Sequence, residues 1–208
     1  MVPISGLTSK VLLPIKDKPL IQYGLDALSK LGGWTVIVVK PHAEDIMTQT
    51  SRPNILYFYD RQASGTGGPI NDLASILSNP VIVMCGDLYT NIDLKAHLVA
   101  HRAHKEGFTI IVRDWMNPSD GVVHIEGDRV VGFEEKAKEG ELGNTGIYIL
   151  DPSLLNGYMR GWLSLEYTVI PQLVVKGLVY ASHLQEGEFC IGINTWEEYL
   201  DYCTGEKP

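Results

Sequence analysis

Residues 81–87 read Val-Ile-Val-Met-Cys-Gly-Asp, an unbroken apolar run that stops on a glycine and then a carboxylate. A run of this length, bounded by turn formers, fits a strand buried on both faces of a parallel sheet, with Asp87 at its carboxyl end. Open α/β sheets bind ligands at that end. A carboxylate there can hold a divalent cation against phosphate oxygens, because hard cations prefer oxygen ligands and share them with a substrate. The same Gly-Asp pair also serves as an ordinary turn cap.

The flanking pattern is that of a sheet with crossover helices. Pro19 opens a predicted helix through Leu31, with Leu20, Ile21, Leu25, Leu28 and Leu31 inward and Gly32-Gly33 ending it. Residues 34–39 then read as a strand, 42–50 as a helix and 55–59 as a strand, an alternation that implies a parallel, doubly wound sheet. The turn Ser64-Gly65-Thr66-Gly67-Gly68-Pro69 precedes a helical spacing of Ile70, Leu73, Ala74, Ile76 and Leu77. A glycine turn that opens a helix lets backbone N–H groups approach an anion. These glycines match neither the P-loop nor the dinucleotide fingerprint, so a plain turn stays open.

Residues 94–104 are predicted helical and 109–113 extended, and the pattern then turns β-rich. Residues 122–125, 130–133 and 146–150 fit antiparallel or mixed pairing, with Glu126-Gly127-Asp128 as a hairpin turn. Residues 165–175 carry a helix expected to break near Pro171, 179–182 a strand, and 195–202 a final helix with Thr195 and Glu198 as a capping box. The expectation is one α/β domain over 1–208: a doubly wound, mostly parallel sheet, helices on both faces, and a small antiparallel β addition in the second half.

Composition narrows the functions open to such a fold. Seventeen basic against 25 acidic side chains give a formal charge of −8, which argues against a duplex nucleic acid partner. Cys85, Cys190 and Cys203 are far apart and form no Cys-x-x-Cys pair, which fits reduced thiols rather than a disulfide scaffold or zinc knuckle. No segment has the roughly 20 apolar residues of a membrane span, and the N-terminus lacks a signal-peptide pattern. A cytoplasmic protein with no membrane partner is expected, and homo-oligomer formation is left open.

Five blocks occur in order: Lys10-Val-Leu-Leu-Pro-Ile-Lys-Asp-Lys18-Pro, the glycine turn at 65–68, Gly86-Asp87 with Asp93, Gly132-Phe-Glu-Glu135-Lys136, and Asn144-Thr-Gly146-Ile-Tyr-Ile. Together they resemble the sugar-1-phosphate nucleotidyltransferases, which include mannose-1-phosphate guanylyltransferases and glucose-1-phosphate thymidylyltransferases. The resemblance covers nearly the whole chain. It implies a nucleotide-diphospho-sugar transferase-like fold, with a nucleotide-binding half at 1–113 and a sugar-binding half at 114–208. The partners it implies are a nucleoside triphosphate and a sugar 1-phosphate, with Mg2+ as cofactor.

By this resemblance Lys10 and Asp87 would be catalytic and Asp87 would bind the metal. Gly6, Asp60, Gly65, Thr66, Gly67 and Gly86 would bind the nucleotide; Lys18, Gly121, Glu135, Lys136, Asn144 and Gly146 would hold the sugar phosphate. Blander readings stand beside these. Glu-Glu-Lys also suits a solvated hairpin exit, and Asn-x-Gly a strand-entry turn. A base-reading residue would fall at Tyr59 or Asp60; a carboxylate there accepts from the guanine N1–H and amine, or merely starts a turn with Arg61. Mannose or a manno-configured heptose is the sugar implied, although Asp120 stands before Gly121 where the family often has tyrosine.

Two departures bear on activity. The family's Gly-Gly-x-Gly-Thr-Arg triphosphate loop is shortened to residues 6–10, after an expected strand at 2–5. Lys10 then replaces either that arginine or the later lysine, and one cation covers two roles. The second metal carboxylate of the family falls on Gly192, which leaves Asn194, Asp93 or water to share the coordination. Both departures weaken triphosphate and metal binding, so a second reading is a catalytically weakened homologue that binds a nucleotide or nucleotide-sugar, or partners an active subunit, without turning over well. A glycosyltransferase is disfavoured because Asp87-Leu-Tyr is not Asp-x-Asp. His97, His101 and His104 share one helical stripe with Asp93, a spacing that could hold a metal, but a solvated or rim-packed face is preferred. The four tryptophans, Trp34, Trp115, Trp162 and Trp196, read as core or rim residues.

Overall fold

The structure, a computed structural model, describes residues 9–77, 79–104, 107–114, 121–135 and 142–204. The expected strand at 2–5, with Gly6, Trp115, Asp120 and Lys136, lies outside the described residues. The strands in chain order are β1 (Pro14–Ile15), β2 (Lys18–Pro19), β3 (Thr35–Val39), β4 (Ile55–Tyr59), β5 (Val81–Met84), β6 (Leu88–Thr90), β7 (Phe108–Arg113), β8 (Val122–Glu126), β9 (Arg129–Glu134), β10 (Leu142–Leu150), β11 (Val179–His183) and β12 (Cys190–Gly192). The α-helices are α1 (Leu20–Ser29), α2 (Glu44–Thr50), α3 (Gly68–Leu73), α4 (Leu94–Arg102), α5 (Ile170–Val175) and α6 (Trp196–Thr204). None of these helices, among the described residues, is long and apolar enough to cross a membrane. The chain forms two compact units, one from Met1–Tyr59, Met84–Leu94 and Gly187–Pro208, the other from Asp60–Val83 and Lys95–Glu186.

In the first unit α1 carries two apolar clusters on neighbouring residues. Leu20 packs with Ile15, Tyr89, Ile191, Ile193 and Tyr202, while Ile21 and Leu25 pack with Leu12 and Ile55. Leu28 and Leu31, expected on the same inner face, are only partly buried, and Ala27 is buried instead. Strands β3 and β4 pair in parallel, from Thr35 opposite Ile55 to Val39 opposite Tyr59. The apolar segment after Lys10 is not extended throughout: Lys10–Leu12 form a 3-10 turn, and β1 and β2 make a tight hairpin with Lys16 at φ 54°. The capping box forms as expected. Thr195 N–H donates to Glu198 Oε2 at 2.9 Å and Glu198 N–H to Thr195 Oγ1 at 3.1 Å.

The second unit is built on a six-stranded mixed sheet in the order β5-β10-β7-β11-β9-β8. β7 and β11 are parallel, and β10–β7, β11–β9 and β8–β9 are antiparallel. Every residue of β7 is buried, the polar Thr109 and Arg113 included. The hairpin turns at Gly127-Asp128, with Gly127 at φ 64°. Strand β5 departs from expectation: it is only partly buried along its length, and among the described residues it pairs with β10.

Near Pro171 the helix changes type instead of ending. A π turn over Leu165–Val169 leads into α5, and Pro171 falls in the first turn of α5, where proline is tolerated. The histidine stripe is a further correction. His97 is 0 % and His101 5 % exposed, hydrogen-bonded through Nδ1 to Ser182 Oγ at 2.8 Å and Thr109 Oγ1 at 2.9 Å. The helix therefore lies on hydroxyls of β11 and β7 rather than facing water. His104 alone keeps a rim position, stacked on Tyr180 at 3.6 Å.

Candidate active site

Asp87 sits in the turn that follows β5, and the 3-10 turn that begins at Lys10 is held in the same unit. Lys10 Nζ lies 2.5 Å from Asp87 Oδ2 and 3.4 Å from Asn194 Oδ1. Asn194 is fixed in turn by its own N–H, which donates to Glu198 Oε2 at 2.6 Å. Lys10 and Asp87 each keep 28 % of the side chain in solvent, so the pair is accessible to a ligand. Gly86 is exposed beside them, and a Cβ there would meet only Val11 at 3.6 Å, an ordinary contact. Close packing is not what requires glycine at 86.

Lys18 is not part of this cluster. Its Nζ lies 2.5 Å from Asp26 Oδ2 and over the Tyr23 ring, 4.2 Å from the centroid. Burial would raise the Asp26 carboxyl, but bonds from Lys18 and Gln22 outweigh it and hold the group below the usual carboxylate range. Tyr23 donates to Ile15 O at 2.7 Å, and burial, then the charge of Asp17, pushes its hydroxyl up to about 12.

The second unit gathers several of the other predicted residues around one polar relay. Asn144 Nδ2 donates to Tyr148 Oη at 2.8 Å, Tyr148 Oη donates to Glu166 Oε1 at 3.1 Å, and Thr66 Oγ1 donates to Glu166 Oε2 at 2.6 Å. Ser164 Oγ adds a third bond to Glu166 at 2.9 Å. Asn144 also accepts from Gly146 N–H at 3.0 Å, where Gly146 takes φ 76° at the irregularity in β10. Gly121 joins the same end: its carbonyl accepts from Asn144 N–H at 2.8 Å, and a Cβ on it would lie 2.9 Å from Glu135 Oε2. Thus Tyr148 and Glu166 bridge Asn144 to Thr66, while Gly146 and Gly121 bond Asn144 and Glu135 lies beside Gly121. Neither bridge was singled out from the sequence. Ser164-x-Glu166 before an apolar run signals only a helix start, and Tyr148 only a strand residue.

The glycine turn serves packing more than anion binding. The N–H groups of Gly67 and Gly68 both donate to Leu163 O, at 2.8 and 3.2 Å, and Leu163 N–H donates back to Ser64 O at 2.8 Å. A Cβ on Gly65, at φ 81°, would lie 2.5 Å from Leu163 O, and one on Gly68 2.6 Å from Ser64 Cβ. Two of the amides expected to cradle an anion are therefore committed, and α3 is a short helix ending at Leu73 rather than running on to Leu77. Thr66 stays exposed, with Trp162, 66 % exposed, placing its indole nitrogen along the Gly65 face of the turn. Asp60 makes the turn itself, accepting from Ser64 N–H at 2.8 Å, Ser64 Oγ at 3.0 Å and Gln62 N–H at 3.3 Å.

The metal implied by the resemblance has a partial set of donors. No group of three or more His, Cys, Asp or Glu side chains is placed to hold an ion among the described residues. Asp87 and Asn194 nonetheless direct a carboxylate and an amide oxygen at the same ammonium. One carboxylate with an amide fits Mg2+ that draws its remaining ligands from phosphates and water, not an all-protein cage.

The first unit thus holds a carboxylate and a lysine past a sheet strand, and the second a glycine turn tied to a hydroxyl and carboxylate relay, both within an α/β protein. The comparisons make the class specific: the chain belongs to the Nucleotidyl transferase family, whose pattern matches residues 1–199. Mannose-1-phosphate guanylyltransferase catalytic subunit beta of Danio rerio is 27% identical over 198 residues, covering 88% of this chain and 55% of its own. The D-glycero-alpha-D-manno-heptose 1-phosphate guanylyltransferase of Campylobacter jejuni is 29% identical over 158 residues, covering 72% of this chain and 69% of its own. This chain spans about half the length of several curated relatives it matches. HddC from Yersinia pseudotuberculosis, complexed with GMP-PN, shares the fold with a TM-score of 0.80 at 22% identity, covering 100% of this chain and 94% of that one. The fold is thus the nucleotide-diphospho-sugar transferase type of α/β architecture.

Proposed function

We propose that the protein transfers a nucleotidyl group from a nucleoside triphosphate to a sugar 1-phosphate. A phosphate oxygen of the sugar ester attacks the α-phosphorus, the bond from that phosphorus to the bridging oxygen breaks, and pyrophosphate leaves. Such chemistry asks a protein mainly to position charged groups and neutralise them. The observation that carries the reading is the Lys10–Asp87 pair in the turn after β5, in a chain matching the family over 1–199. Lys10 supplies the cation for the triphosphate and Asp87 the carboxylate for Mg2+. When bound there, Mg2+ neutralises phosphate oxygens.

Gly6, Gly65, Thr66, Gly67 and Gly86 are assigned to the nucleotide, with Thr66 the exposed hydroxyl of the turn. Asp60 has its oxygens in turn bonds, so base selection rests with other groups or with a rearrangement of that turn. Gly121, Glu135, Lys136, Asn144 and Gly146 are assigned to the sugar phosphate, with Glu166 added because the relay converges on it. Lys18 belongs with them only if it leaves Asp26. The roles divide along the sequence into a nucleotide half, 1–113, and a sugar half, 114–208. The substrates named for the relatives favour a guanine nucleotide and a manno-configured sugar 1-phosphate. A cytoplasmic setting is part of the same reading.

Purified protein with Mg2+, a panel of sugar 1-phosphates and the four common nucleoside triphosphates should release pyrophosphate with one pairing. Asp87→Ala should abolish that release. Release with none of the pairings, alongside measurable nucleotide-sugar binding, would leave a non-catalytic homologue as the correct reading.

A further inference from the structure

Two oxygens in the first unit point at a cation that is already part of the chain. Lys10 Nζ is 2.5 Å from Asp87 Oδ2 and 3.4 Å from Asn194 Oδ1, the same two oxygens assigned above to a metal. Gly192, on β12 opposite Leu88, adds no side chain to the set. One carboxylate and one ammonium cancel, so the cluster offers an incoming divalent ion little net attraction. A dehydrated ion would also have to break a charge-assisted contact to enter.

We propose that Lys10 is a resident cation that closes the Asp87 site to free divalent metal until nucleotide phosphates arrive and draw the ammonium away. The proposal rests on the reading of Asp87 as the phosphate and metal carboxylate. In that state the phosphates supply both a new partner for Lys10 and further oxygens for the metal. The metal then enters with the triphosphate instead of waiting on the protein. Gly192 is the second half of this device: a Cβ there would meet only Asn194 Nδ2 at 3.4 Å and Leu88 Cδ2 at 4.0 Å, ordinary contacts, yet the sequence places no carboxylate at that position.

The test uses Mn2+ alone, without nucleotide, and reads the free-ion signal by electron paramagnetic resonance. Wild-type protein should bind Mn2+ weakly, and Lys10→Met should bind it on the order of ten- to a hundredfold more tightly, the range expected when a charge-assisted partner is removed from a carboxylate. Adding Asp87→Asn to Lys10→Met should return binding to the wild-type level. Lys10→Gln, which removes the same charge with a polar side chain, should tighten binding likewise, and it decides the matter if Lys10→Met fails to fold. Mn2+ affinity equal to wild type in a folded Lys10→Met or Lys10→Gln overturns the proposal. Pyrophosphate release is not involved, so failure of the transferase reading and failure of this one are separate results.

Discussion

The Thr66 hydroxyl donates to Glu166 Oε2 at 2.6 Å, tying the glycine turn to a helix start 100 residues further along the chain. Thr66 Oγ1 also accepts from Leu165 N–H at 2.9 Å, so one hydroxyl fixes both the carboxylate and the backbone beside it. Glu166→Ala removes the acceptor for Thr66, Ser164 and Tyr148 together. Leaving the buried Tyr148 and Ser164 donors without this acceptor should cost about 1–3 kcal/mol, read as a lower urea midpoint at unchanged slope. Glu166→Gln, which keeps an acceptor oxygen, should recover part of the loss. A Glu166→Ala midpoint equal to wild type would show that the relay adds nothing to stability.

Gly65 and Gly187 share φ 81°, but only Gly65 is packed. Alanine at either position takes on the left-handed penalty of about 1–2 kcal/mol. At Gly187 nothing lies within 4 Å of the new Cβ, whereas at Gly65 it would sit 2.5 Å from the Leu163 carbonyl oxygen. Gly65→Ala should therefore be less stable than Gly187→Ala by a further 1–3 kcal/mol or so, as overpacking requires. Equal losses by denaturant titration would mean that the 161–164 segment yields freely and that packing does not explain the glycine.

Local signals in this chain were readable and distant partners were not. The hairpin turn at Gly127-Asp128 and the Thr195–Glu198 box depend on residues at most three apart, and both formed as the pattern implied. Asp87 in a turn after an apolar strand was legible for the same reason. The burial of β5 was overread because an apolar run does not say how deeply the sheet around it is covered, and here all four residues are only partly buried. The histidine stripe misled in the opposite direction: a polar spacing on a helix looks solvated unless Ser182 and Thr109 are known to lie beneath it. Leu163, the partner that explains the glycine turn, is likewise invisible from the turn itself.

Helix α6 gives a test confined to one terminus. Thr195 and Glu198 satisfy each other's backbone N–H groups, so Thr195→Ala removes the acceptor of one orphan donor at the helix start. The expected loss is about 1 kcal/mol in the urea midpoint, and Thr195→Ser should restore most of it. A serine variant no better than alanine would exclude the hydroxyl as the source.

His101 makes stability depend on acid. Burial is the main cause holding its imidazole below the ordinary 6.5, and the charges of His104 and Arg102 add to it against an opposing pull from Asp151. Because the folded state binds this proton less readily than the unfolded chain, the unfolded chain carries more protons as the pH drops. The contribution is therefore complete above the unfolded value near 6.5 and is lost as the pH falls from there through the lower, folded value. His101→Gln, which keeps a hydrogen-bonding group toward Thr109 but cannot titrate, should flatten that part of the curve. Urea midpoints measured across the acid side of neutrality should fall more steeply for wild type than for His101→Gln; parallel slopes would assign the acid sensitivity to other groups.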